Sequence, residues 1–123
     1  MSCFWEGLSK KVPELKGKTP IQILQLLQQK NCLSVYVDVT INNQQNNLTL
    51  SQLKEHYKAI DNYDKYNKLT NGHLTSSQDP FLLLITQIYG HTIDFNFAGS
   101  LIKLTNTKFS SNHVLNFKSS TSH

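Results

Sequence analysis

A cysteine stands at position 3 and a histidine at position 123 of a 123-residue chain. Together these two residue types can do nucleophilic chemistry. A thiolate attacks a carbonyl carbon, while an imidazole takes the thiol proton and later returns one to the leaving group. The thiol of a free cysteine ionises near pH ~8.5, and a helix start or a neighbouring histidine lowers that value. Cys3 heads CFWEGLSKKVPELKG, which reads as a short helix ending before Pro13, because proline disfavours the helical state in its predecessor. His123 follows a strand-like segment and the run SSTS, a place where a rigid sheet can hold an imidazole near a thiol. His113, at the start of that strand, is the second candidate for the base. The remaining histidines have plainer readings: His73 solvated in a loop, His56 on a helix face, and His91 in a cap-like place after Gly90. No CxxC or HxxxH pair occurs, which argues against zinc, and no glycine-rich loop opens a helix, which argues against a nucleotide. No cofactor is expected.

The elements that must position these groups are legible in the periodicity. TPIQILQLLQQKN is an amphipathic helix with Thr19 as N-cap, Pro20 at its first position and Gln22 closing a capping box. In CLSVYVDVTI the period shifts to two, with Leu33, Val35, Val37, Val39 and Ile41 on the inward side of a strand. NNQQNN reads as a surface loop. LTLSQLKEHYKAI restarts a helix, with Thr49 and Gln52 forming a second capping box and Leu48 and Leu53 placed as a hydrophobic staple. A long polar stretch containing Tyr63 and Tyr66 follows, and such loops are often functional. With Tyr57, these tyrosines could line a binding surface, although core packing suits Tyr57 better. Asp79 and Pro80 open a third strong helix, FLLLITQIY, apolar nearly all round and therefore central, which Gly90 stops. Three closing strands, HTIDFNF, LIKLTNT and HVLNFK, are expected to form an antiparallel meander, with Val114 and Phe117 packed inward. Segregated helices and strands give an α+β fold.

Composition narrows the function classes. The length suits one domain over residues 1–123. No apolar run reaches the ~20 residues of a membrane span, and no secretory pattern is read at the start. Two cysteines make no disulfide framework, so both are expected to be reduced and the protein cytoplasmic and monomeric. All twelve basic residues are lysines, dispersed along a chain of net charge +4. Without arginine, the commonest specific base contact is missing, so no nucleic-acid partner is expected.

The string SCFWEGL, a cysteine followed by two aromatics and then a helix, resembles the nucleophile region of papain-like cysteine proteases, most of all the ovarian-tumour (OTU) deubiquitinases. The segment NGHLTSSQDPFLLLITQIYGHTI is similar to the OTU stretch in which a glycine-containing loop enters a buried helix and then a core strand. HVLNFKSSTSH looks like the terminal OTU pattern of strand, polar turn and catalytic histidine. The resemblance implies a minimal viral or parasite thiol protease of papain-like fold. Cys3 would be its nucleophile, His123 its base, and the helix-start amide of Cys3 an oxyanion donor. Its substrates would be ubiquitin or ubiquitin-like conjugates, or a polyprotein junction, in the host cytoplasm if viral. Two departures stand out. OTU members carry Asp and Gly just before the cysteine, and the residue that orients the histidine commonly lies just beyond it. Here Met1 and Ser2 precede Cys3 and the sequence stops at His123, leaving Asp94, Asn96 and Asn112 as substitutes. Either the chain is a piece of a longer one, or the site is incomplete and the domain kept a protease-like fold for protein interaction alone.

Overall fold

The computed structural model describes residues 3–63 and 78–118, with Cys3 and Lys118 described by their backbone. The elements run α1 (Cys3–Lys11), a 3-10 turn η1 (Pro13–Leu15), α2 (Pro20–Gln29), β1 (Val37–Ile41), β2 (Gln44–Gln45), α3 (Leu50–Asp61), α4 (Pro80–Tyr89), β3 (Thr92–Phe97), β4 (Ser100–Asn106) and β5 (Val114–Lys118). The five strands form one sheet in the order β2-β1-β4-β3-β5. The architecture is α+β.

Both threonine-capped helices start as their sequences require. Thr19 Oγ1 accepts the Gln22 N–H while Gln22 Oε1 accepts that of Thr19, and Thr49 and Gln52 repeat the exchange. Thr19→Ala or Thr49→Ala should each cost about 1 kcal/mol, read as a lower urea midpoint at unchanged m-value. An unchanged midpoint would show the box to be energetically idle. At α4, Asp79 Oδ1 accepts from Phe81 N and Leu82 N. Gly90 closes α4 in the left-handed region (φ 70°), where an added Cβ would meet the Phe109 ring at 2.5 Å.

The core lies between the helices and one face of the sheet. Val37, Val39, Ile93, Phe95, Ile102, Leu104, Leu115 and Phe117 face it from the strands, and Leu82, Leu83, Leu84 and Ile85 make α4 its centre. An aromatic cluster joins the starts of α1 and α4. Phe4 and Trp5 lie 6.4 and 5.2 Å from Phe81, and Tyr63 lies 5.8 Å from Trp5. Phe4 and Trp5 are both buried in the core.

Five expectations are corrected. The closing strands are not an antiparallel meander. β3 and β4 form an antiparallel hairpin, but β5 pairs with β3 in parallel, Thr92 against Val114 and Phe95 against Phe117. The cause is occupancy: β1 holds the outer edge of β4, Val39 against Leu104, so the chain crosses over the start of β3 and lays β5 on its far side. Within β5 the inward residues are Leu115 and Phe117, while Val114 is 59% exposed. The first strand begins at Val37, because a turn at Leu33–Val35 and two hydrogen bonds of Tyr36, its N–H donating to Gln87 Oε1 and its carbonyl accepting from Thr107 N, hold the preceding residues, leaving Val35 exposed. NNQQNN is only partly loop. Asn42 and Asn43, at φ 52° and 67°, make a two-residue turn of the type that favours asparagine, and Gln44 and Gln45 pair back on β1. Tyr57, on α3, is partly exposed rather than in the core.

Two ends of the molecule can be defined by α4. At its front, Gln78 Nε2 donates to Asn46 O beside the β1–β2 hairpin. At its back, Asn106 Nδ2 donates to Thr86 O and Gln87 O at 3.0 and 3.1 Å. α1 and η1 run alongside α4 in the same direction, since Phe4 and Trp5 meet Phe81 and Glu14 meets His91. β3 and β5 return from back to front.

Candidate functional site

Cys3 is the first residue of α1, so its backbone lies at the front of the molecule. β5 runs toward that same front, and Lys118 ends it there. Along the way α1 crosses the strand: Gly7 lies over Phe117, and Lys11 Nζ sits 5.1 Å from the Phe117 ring centre and donates to Asn116 O. That bond puts a lysine on an outer strand, a placement that discourages edge pairing. His123 lies outside the described residues, as do His73 and Tyr66.

His113 is at the back, just before β5, with its ring 5.5 Å from that of His91. A five-residue strand, roughly 17 Å at ~3.3 Å per residue, separates it from the front. His113 thus lies a strand's length from the end that holds the Cys3 backbone. The three substitutes for an orienting residue are no better placed. Asp94 and Asn96 alternate with Ile93 and Phe95, which face the helices, so their side chains lie on the face away from α1. Asn112 sits in the back turn at φ 65°.

Asp79, which the sequence offered only as a cap, is a buried acidic group at the front. It is 4% exposed, and burial pushes its carboxyl up to about 6, against two opposing backbone hydrogen bonds. Burial and then the charge of Asp79 raise the Tyr63 phenol. Beside α1 a cleft of about 360 Å³ opens toward α2, lined by Trp5, Ser9, Lys10, Lys18 and Pro20. Cys32 is free, and burial raises its thiol, which disfavours the reactive thiolate.

The back holds an arrangement that sequence reasoning missed. His91 is 1% exposed, with Nδ1 at 2.5 Å from Ser111 Oγ and Nε2 at 2.6 Å from Glu14 Oε1. Glu14 and Ser111 are separated from it by most of the chain and by two strands respectively, so no local pattern announces the cluster. Among the described residues, no group of His, Cys, Asp and Glu could hold a metal ion, and no helix is long and apolar enough to cross a membrane.

No protein-family model, no curated protein and no solved structure matches the chain.

Proposed function

We propose that the protein is a papain-like thiol peptidase or isopeptidase in which Cys3 attacks and His123 serves as base. One observation carries this reading: the head of α1 and the exit of β5 lie at the same end of the molecule, although they belong to opposite ends of the sequence. Four residues separate Lys118 from His123, so the chain from the strand exit to His123 spans at most about 18 Å. The start of α1 favours the thiolate, and its first amides, which have no carbonyl partner within the helix, could face an oxyanion. The cleft beside Trp5 offers an apolar wall for a substrate segment next to the same helix. Ubiquitin, a ubiquitin-like modifier or a polyprotein junction in the cytoplasm is the proposed substrate, after the resemblance of SCFWEGL and of HVLNFKSSTSH to OTU proteases.

A second reading, a non-catalytic interaction domain, draws support from the position of Asp94 and Asn96 on the face away from α1. One experiment separates the two. The protein is treated with a ubiquitin C-terminal electrophile, and the rate of Cys3 alkylation by iodoacetamide is followed against pH. The peptidase should form an adduct that Cys3→Ala abolishes and His123→Ala slows by about a hundredfold or more, with a thiol midpoint below ~8.5. No adduct, together with an ordinary thiol midpoint, would rule out the peptidase and leave the interaction domain.

A further inference from the structure

We propose that Ser111 is an activated nucleophile, wired through His91 to Glu14, that accepts acyl groups from carboxylic esters at the back of the molecule, independently of Cys3. The hydrogen-bond partners suit a proton relay. Ser111 Oγ accepts the His113 N–H at 3.2 Å, so its own hydrogen is free to point at His91 Nδ1, 2.5 Å away. The Glu14 carboxylate accepts from Nε2 at 2.6 Å, so that nitrogen carries a hydrogen, and the neutral ring then offers its Nδ1 lone pair to the serine. A nucleophile held by a base that a carboxylate holds in turn is the arrangement that activates serine, whichever ring nitrogen faces it.

The surroundings suit that role. His91 is shut away between Tyr89 and His113, with ring centres at 6.0 and 5.5 Å, so water does not compete for its nitrogens. Burial first, and then the charge of Glu14, raise the Tyr89 phenol, so it stays neutral beside the pair. Ser111 is partly exposed, in a turn fixed by its own N–H to Gly90 O at 3.0 Å. Phe109, half exposed and packed on Gly90, is the apolar surface on which an acyl group can rest. In the reaction Oγ bonds to the ester carbon as its proton passes to Nδ1. Collapse breaks the ester C–O bond, and the departing alcohol takes that proton. Water then attacks the acyl-serine, its proton returning through Nδ1 to Oγ, and the carboxylic acid leaves.

The test is phosphonylation of the wild-type chain by a fluorophosphonate, mapped by mass spectrometry, with phenyl acetate turnover as a second readout. The label should fall on Ser111 and not on the exposed neighbour Ser110, and turnover should disappear in Ser111→Ala. Glu14→Gln, a change at a partly exposed side chain, should leave the circular dichroism unchanged and slow labelling by at least about tenfold. No label on Ser111 in the folded protein, equal labelling of Ser110, or an unchanged rate in Glu14→Gln would each overturn the proposal and leave His91 as a structural tie. Site mapping keeps this outcome separate from that of Cys3.

Discussion

Asn106→Leu should destabilise the protein by about 4 kcal/mol, a large part of the ~5–15 kcal/mol margin of an ordinary domain. Asn106 is 8% exposed at the end of β4 and holds four main-chain groups. Its Nδ2 donates to Thr86 O and Gln87 O, and its Oδ1 accepts from Lys108 N at 2.8 Å and Phe109 N at 3.0 Å. It therefore joins the end of α4 to the start of the crossing that carries the chain to β5. Leucine fills nearly the same volume, so no cavity forms and the loss reports the hydrogen bonds. Each orphaned buried group costs about 1–3 kcal/mol, with water relieving those nearest the surface. Urea titration should show a lower midpoint at unchanged m-value. A loss below about 1 kcal/mol would mean that water replaces the amide at all four groups.

Asp79→Asn should stabilise the protein at neutral pH, and the gain should vanish in acid. Burial lifts the folded carboxyl from 3.8 to about 6. A group raised in the folded state contributes its stability fully below the unfolded value, and that contribution is lost as pH rises through the folded one. Relative to the asparagine variant, the wild type should therefore be at its best near pH 4 and fall behind by on the order of 3 kcal/mol by pH 7. Asparagine keeps an oxygen for Phe81 N and Leu82 N without the charge. Melting of both proteins from pH 4 to 7 gives the difference directly. A difference flat across that range would show that ionising Asp79 costs nothing in the fold.

Local chemistry was legible in the sequence wherever neighbours decide it. The boxes at Thr19 and Thr49, the cap at Asp79, the stop at Gly90 and the apolar run of α4 each depend on residues within one turn. Contacts set by the sheet were not. Nothing in HVLNFK says that β4 has no free edge for it, so the parallel pairing of β5 was hidden, and with it the inward phase of Leu115 over Val114. The candidate site divides the same way. Cys3 at a helix start is visible in CFWEGL, whereas the separation of His113 from the front follows from strand direction. The His91 cluster needs the crossing over β3 and the approach of η1, two long-range events that leave no spacing to read.

The position of β1 governs the order in which the molecule can assemble. It lies inside the sheet, yet its long partner, β4, is made only after α3 and α4. Val37 and Val39 must therefore wait uncovered while the rest of the chain is synthesised, and the β1–β2 turn shields two positions at most. The tight hairpin at Ala98–Gly99 is local and forms quickly, but it meets β1 only by closing a long loop, a slow step that leaves sticky strand surface open to other chains.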